Sequence, residues 1–170
     1  VSKVWTKTTK VNNCEIAGAI RPIKKTHHEA DFVEKTFGVS ALGEIYEAER
    51  IVRNGQRYFS TLYKRMTKRI CHVVLLKDKT VGAVQYFLFD KRTMTVYAAI
   101  TQFHVGAASF LDRINGGKHL TSVKLVNPDS KAIVPVDSLV ETLFFIDPQS
   151  TNSYACVTRV PHSHGRSVFK

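Results

Sequence analysis

Short runs of apolar residues, separated by turn-forming residues, follow one another through most of this chain, and this pattern constrains the fold more than any other feature. The runs are five to nine residues long, which is typical of strands. The pair Asn54-Gly55 stands between the first two runs and accepts the positive φ angles of a type I′ turn, so it predicts a β-hairpin. The runs cover residues 49–53, 56–62, 70–76, 81–89, 94–100, 120–126, 132–136, 142–146 and 154–160.

The connections between the runs favour antiparallel pairing. Only short polar segments separate residues 70–76, 81–89 and 94–100, so these three runs are expected to form a meander. Further along, Asn127-Pro128-Asp129-Ser130 predicts a strong turn. Seven to nine short strands at fairly regular spacing predict a mainly β fold, a small antiparallel barrel or sandwich with one short N-terminal helix.

That helix is predicted over residues 27–37. Thr26 and Glu29 have the spacing of a capping box, and Ala30, Val33 and Phe37 fall on one helical stripe. Gly38 stands where a C-terminal cap is expected.

These patterns predict one compact domain with three parts. Residues 1–43 form an N-terminal arm, or edge strand, followed by the helix; residues 44–161 form the β-barrel domain; and residues 162–170 form a basic tail. The chain begins at Val1 rather than Met, from which we expect a fragment or a processed product. No apolar run approaches membrane-spanning length.

Positive charge is concentrated in one stretch of the chain. Lys and Arg number 25 against 14 Asp and Glu, for a net charge of +11, and residues 50–77 contain no acidic side chain. Such a stretch predicts a surface for an anionic partner: nucleic acid, an acidic protein, an anionic membrane surface or a mineral. The candidate binding residues are Arg50, Arg53, Arg57, Tyr58, Tyr63, Lys64, Arg65, Lys68 and Arg69.

Within this stretch, the cation pairs Lys64-Arg65 and Lys68-Arg69 lie four residues apart between two predicted strands. On a loop or strand edge they would contact successive phosphates, with Tyr58 or Tyr63 stacking on bases. The alternative interpretation is a solvated edge strand, whose Lys and Arg residues prevent unwanted pairing.

The spacing of the cysteine and histidine residues matches no metal-binding motif. Cys14, Cys71 and Cys156 are odd in number and widely spaced, which indicates buried free thiols or one disulfide with one thiol left over. The helical spacing of His27 or His28 to Asp31 offers two ligands without a third, so a solvated helix face is favoured. His162 and His164 are assigned to a surface tail. We expect neither a metal nor a cofactor.

No catalytic motif is present in the sequence. Ser109 lacks the flanking glycines of a nucleophile elbow, since Ala107 and Leu111 occupy those positions. The sequence contains no phosphate-cradling glycine loop, HExxH or paired-carboxylate signature. We therefore expect a non-enzymatic protein, with a spatially assembled hydrolase site as the remaining enzymatic alternative.

An ordered series of short motifs supports a family resemblance. The motifs are Glu49-Arg50, Asn54-Gly55, Tyr58, Ser60, Lys68-Arg69, Gly82-Ala83-Val84-Gln85-Tyr86-Phe87, Val96-Tyr97-Ala98 and Ile133-Val134-Pro135-Val136. In this order they resemble the C-terminal β-rich domain of transposon-derived proteins, the CACTA-type and related elements. The resemblance covers about two thirds of the chain. It implies a BAH-like barrel without catalytic residues of its own, and an invertebrate source.

The chain is also similar in character to the protein that accompanies silicatein in the axial filament of sponge spicules. That similarity implies silicatein as an acidic partner, silica as an anionic surface and a secreted or vesicular location. Ammonium and guanidinium groups attract silicic acid oligomers, and the hydroxyls of Tyr58, Ser60, Thr61 and Tyr63 would hydrogen-bond silanols.

Two functional hypotheses follow. The first is a non-enzymatic structural or interaction protein whose β-barrel binds an acidic partner protein or an anionic surface. The second is a nuclear accessory domain of a transposase-derived protein that clamps the nucleic-acid phosphate backbone without reading bases.

Overall fold

Ten strands and one α-helix make up the described part of the chain, which in this computed structural model covers residues 8–23, 30–38, 43–64, 72–105, 124–146 and 155–159. A 3-10 turn at Val136–Ser138 precedes the ninth strand. The elements are β1 (Thr8–Lys10), β2 (Glu15–Pro22), α1 (Ala30–Phe37), β3 (Ile45–Arg53), β4 (Gln56–Phe59), β5 (Val73–Leu76), β6 (Val81–Asp90), β7 (Thr95–Val105), β8 (Lys124–Pro135), β9 (Leu139–Ile146) and β10 (Ala155–Arg159).

All strand pairs among these elements are antiparallel and belong to one sheet. The pairing order β6-β5-β9-β10-β8-β7 comes back to β6, because β6 and β7 also pair with each other. The strands β3, β2 and β1 extend from β6 in that order, and β4 adds to β3. Within the described residues, β1 and β4 each pair on one side only, so the sheet as a whole is not closed. The prediction of a mainly β, antiparallel fold with one short helix is confirmed, but the described residues form ten strands where seven to nine were predicted.

Two apolar clusters show which side of the β3–β4 hairpin faces the core. The central core contains Ile51, Tyr58, Val84, Phe87 and Leu139, each at most 2 % exposed. On the other face of the sheet, α1 packs Ala30 and Val33 against strands β3, β6 and β7. The hairpin therefore has one side in the central core and the other side turned away from it.

Two local predictions are confirmed by backbone geometry. Asn54 and Gly55 have φ angles of 51° and 75°, and Arg53 pairs with Gln56 across the turn, as a two-residue type I′ hairpin requires. Gly38 has a φ of 96°, and its N–H donates to the Glu34 carbonyl at 2.8 Å, which caps α1. The predicted first residues of the helix, together with Thr26 and Glu29, lie outside the described residues.

The predicted meander is confirmed as β5, β6 and β7, but the predicted turn at residues 127–130 is wrong. Strand β8 continues through that segment, where Gln102 pairs with Ser130 and Phe103 pairs with Pro128. One extra residue, Asp129, is accommodated as a bulge opposite β7. The turn-forming residues therefore bend a long strand instead of ending it.

The N-terminal segment belongs to the sheet, although the sequence patterns predicted only an arm or edge strand before the helix. Strand β1 is the predicted edge strand. Strand β2 was not predicted, and it pairs with β3 across six positions, so the sheet continues across the predicted boundary at residues 43 and 44.

Candidate functional site

The β3–β4 hairpin divides the acid-free basic stretch between two faces. Across the hairpin, Arg50 pairs with Phe59 and Val52 pairs with Arg57, whereas Ile51 pairs with Tyr58 and Arg53 pairs with Gln56. Since alternate residues of a strand point to opposite sides, each set of four occupies one face. We call Arg50, Val52, Arg57 and Phe59 the outer face, and Ile51, Arg53, Gln56 and Tyr58 the inner face.

On the outer face, Arg50 is held against an aromatic ring. Its Nη1 donates to the Tyr63 hydroxyl at 3.1 Å, and its Cζ lies 4.7 Å from the centre of the Tyr63 ring. The Phe59 and Tyr63 rings are 5.2 Å apart. These contacts combine a hydrogen bond with a cation–π interaction. They join strand β3 to the residue that precedes Lys64.

A glycine on the neighbouring strand lies beside this arginine. Gly18 has a φ of 83°, and a Cβ atom added there would lie 3.2 Å from Nη2 of Arg50. The β2–β3 register shifts between Ala17 and Ile20, so Gly18 lies in a bulge of β2. No motif in the sequence connected Gly18 with the basic stretch.

Two of the remaining candidate cations of the basic stretch are described by the structure. Arg57 is partly exposed on β4 and Lys64 is exposed just after Tyr63. Arg65, Lys68 and Arg69 lie outside the described residues. Burial, and then the nearby Lys64 ammonium, lower the pKa of His72, so both favour its neutral imidazole.

On the inner face, the predicted stacking role of Tyr58 is wrong. Tyr58 is 2 % exposed, and its hydroxyl lies 3.2 Å from the Val140 carbonyl and 3.1 Å from Oε1 of Gln56. Burial raises the pKa of this phenol. Position 58 pairs with Ile51 on the core side, so its ring is not available to a base or a partner.

Arg53 also departs from the predicted binding strip. Its Nε lies 3.6 Å from Oδ1 of Asp137, and its Nη1 lies 3.4 Å from the Leu139 carbonyl. The Arg53 side chain is 19 % exposed. It braces the end of β3 against the 3-10 turn, and this position on the inner face separates it from Arg50 and Arg57.

Three hydroxyls predicted to meet silanols are used inside the protein. Besides the Tyr58 hydroxyl, Ser60 Oγ donates to the Glu49 carbonyl at 2.6 Å in a residue that is 2 % exposed. Thr61 Oγ1 donates to the Gln85 carbonyl at 2.9 Å, where β6 has a bulge. These groups fix the path of the chain after β4.

Within the described residues, no group of three or more His, Cys, Asp or Glu side chains could hold a metal ion. Asp31 is exposed on α1, whereas His27, His28, His162, His164 and Ser109 lie outside the part that the structure describes.

Cys14 is a buried free thiol, and burial is the main cause that raises its pKa to about 12. Cys156 lies on β10, and Cys71 is not among the described residues. No described helix is long and apolar enough to cross a membrane.

Comparisons of the chain with protein-family models, with characterised proteins and with solved structures found no match.

Proposed function

We propose that this chain is a non-enzymatic interaction protein that binds an acidic partner protein or another anionic surface through the outer side of its β3–β4 hairpin. The observation that carries this proposal is the placement of Arg57 and Arg50 on one face, followed by exposed Lys64, in a stretch that has no acidic residue from 50 to 77. A rigid surface with an excess of cations attracts anions over several ångströms and fixes their docking position.

Contacts of the inner face hold the hairpin in a fixed position against the central core. Ile51 and Tyr58 are buried, and Arg53 and the Tyr58 hydroxyl bond to the backbone of Leu139 and Val140 at the start of β9. These contacts attach the hairpin to the central core through its inner face. A pre-organised surface loses less conformational entropy when it binds.

A protein–silica assembly with silicatein is the most specific form of this proposal. Because Tyr58, Ser60 and Thr61 use their hydroxyls internally, the attraction to silica would depend on Arg57, Lys64 and the basic residues after them. Silanol recognition by hydroxyls is thereby reduced to a minor contribution.

One observation favours a second candidate, the binding of a nucleic-acid backbone by a transposase-derived accessory domain. Phe59 and Tyr63 are partly exposed aromatic side chains beside Arg50, and such side chains stack on unpaired bases. Single-stranded nucleic acid would be the preferred form, since its bases are accessible to a ring.

The test is charge reversal with a matched control. The double variant Arg57→Glu/Lys64→Glu removes two outer cations, and Lys79→Glu/Lys91→Glu makes the same charge change in two exposed turns. Lys91 follows Asp90, which pairs with Ile45 at the far end of β3 from the turn. Binding to poly-L-glutamate, colloidal silica and single-stranded DNA is measured at several salt concentrations.

We expect the first variant to bind poly-L-glutamate or silica about tenfold more weakly than the control variant. Equal losses in the two variants would show that only net charge matters and would contradict a binding face on the hairpin. Tight binding to single-stranded DNA, without binding to poly-L-glutamate or silica, would replace the first candidate with the second.

A further inference from the structure

The contacts of Arg50 differ from those of a residue that simply adds positive charge to the surface. Its guanidinium lies over the Tyr63 ring, donates to the Tyr63 hydroxyl and comes within 3.2 Å of the position that a Cβ on residue 18 would take. Three separate segments of the chain therefore meet at one side chain: the β2 bulge, strand β3 and the segment that follows β4.

We propose that Arg50 is a positioning residue, which acts through Tyr63 to fix the position of Lys64 beside the hairpin. This inference rests on the proposed binding of an anion by the outer side of the hairpin. It assigns contact with the anion to Arg57 and Lys64, and it assigns to Arg50 the geometry of that surface.

The geometry of Tyr63 supports this division of roles. The Tyr63 N–H donates to the Ser60 carbonyl at 3.1 Å, and Ser60 is in turn bonded to Glu49, next to Arg50. Tyr63 is thus held at its backbone by the turn after β4 and at its side chain by Arg50. Lys64 is the next residue, so its placement follows from that of Tyr63.

This role requires a planar guanidinium, and a positive charge alone does not fulfil it. A guanidinium can stack on a ring and donate to a hydroxyl at the same time, whereas a lysine ammonium is a compact point charge without a planar fork. Gly18 leaves room for the guanidinium, because a Cβ at that position would lie 3.2 Å from Nη2 of Arg50, and a contact that close requires a shift of a few tenths of an ångström.

The first test uses a substitution that changes no charge. Gly18→Ala displaces the guanidinium, and Gly38→Ala is its matched control because Gly38 also has a positive φ, 96°, with no atom within 4 Å of an added Cβ. Both variants carry similar backbone strain. We expect poly-L-glutamate binding to weaken severalfold in Gly18→Ala and to stay unchanged in Gly38→Ala.

The second test asks whether charge alone restores binding. Arg50→Lys keeps the positive charge and loses the planar contact, so we expect it to bind poly-L-glutamate about as weakly as Arg50→Met. Wild-type affinity in Arg50→Lys, or equal affinities of the two glycine variants, would overturn the positioning role while leaving the proposed function in place.

A readout without ligand keeps the inference testable by itself. Hydrogen exchange of the Tyr63 and Lys64 amides is measured in wild type, Arg50→Lys and Gly18→Ala, with Gly38→Ala as the control. We expect these amides to exchange faster in Arg50→Lys and in Gly18→Ala than in wild type, and at the wild-type rate in Gly38→Ala. If wild type bound neither poly-L-glutamate, silica nor DNA, the proposed function and this inference would both fall, whereas unchanged exchange would refute the positioning role alone.

Discussion

The two faces of the β3–β4 hairpin come from one basic stretch of sequence and yet lie in different environments. The inner face buries Tyr58 and uses Arg53 to brace the start of β9. The outer face places Arg57 and the Arg50–Tyr63 pair beside exposed Lys64. Positive charge counted along the sequence therefore overstates the charge of any one surface, because strand alternation sends neighbouring cations to different environments.

The largest expected effect comes from truncating the inner face. Tyr58→Ala removes a fully buried ring, and we expect the free energy of unfolding to fall by about 4 kcal/mol. Tyr58→Phe keeps the ring and loses the hydroxyl contact with Val140, for which we expect a loss of about 1 kcal/mol. Urea denaturation measures both values. Weaker anion binding by a stable Tyr58→Phe protein would contradict the assignment of this side chain to the core.

A charge pair at the other end of β3 provides a reference for a purely structural arginine. Arg92 donates through Nε and Nη2 to the Asp90 carboxylate at 3.1 and 3.0 Å, and the Asp90 side chain is 3 % exposed. We expect Asp90→Asn to lower the free energy of unfolding by about 2 kcal/mol at pH 7 and to leave anion binding unchanged.

The same pair has a pH dependence of known sign. Hydrogen bonds from Arg92 hold the pKa of Asp90 below its ordinary value, against the opposing effect of burial. A carboxylate whose folded-state pKa is lowered contributes stability above its unfolded pKa, about 3.9, and loses that contribution as the pH falls through the folded value. The stability difference between wild type and Asp90→Asn should therefore shrink below pH about 4. A stability difference between wild type and Asp90→Asn that stayed constant down to pH 2 would contradict this pH dependence.

A smaller effect is expected for the inner arginine of the hairpin. Arg53 has long contacts, 3.6 Å to a half-exposed Asp137 and 3.4 Å to a carbonyl. We expect Arg53→Met to lower the free energy of unfolding by about 1 kcal/mol and Asp137→Asn by less, because solvent screens an exposed carboxylate. Thermal unfolding of the two variants checks this ranking.

The smallest effect concerns the reactivity of Cys14, whose thiol lies in the central core. The high pKa of Cys14, about 12, and its burial keep it as a protonated thiol at neutral pH. Iodoacetamide should leave Cys14 unmodified in native protein at pH 8 and alkylate it in urea, as peptide mass mapping would show. Rapid native labelling of Cys14 would indicate that this part of the central core opens readily.

Local geometry was predictable from the sequence wherever a few adjacent residues determine it. Asn54-Gly55 predicted the type I′ turn and Gly38 the helix cap, because glycine and asparagine accept the positive φ angles that these positions require. The meander of β5, β6 and β7 was predictable because its connections are short.

Bulges explain the errors in the predicted strands. The bulge at Gly18 interrupts the alternation of apolar residues, so β2 lacks the period-two pattern that identifies a half-buried strand. The bulge at Asp129 places turn-forming residues inside β8. In both strands the pairing with a distant neighbour overrides the local signal.

The candidate site was only partly predictable for the same reason. Charge composition identified the basic stretch, but the stack of Gly18, Arg50 and Tyr63 joins residues from three segments, and no local pattern brings them together. The separation of Arg53 from Arg57 depends on the register of the hairpin, which the turn at Asn54-Gly55 fixes.

The most direct test of the account compares Arg57→Gln with Arg53→Gln in the salt dependence of poly-L-glutamate binding. Both substitutions remove one positive charge from the same hairpin, one on each face. The account predicts that Arg57→Gln reduces the slope of log affinity against log salt by roughly one counterion, whereas Arg53→Gln leaves the slope unchanged. Equal reductions, or a reduction in Arg53→Gln alone, would contradict the claim that the outer face is the surface that binds anions.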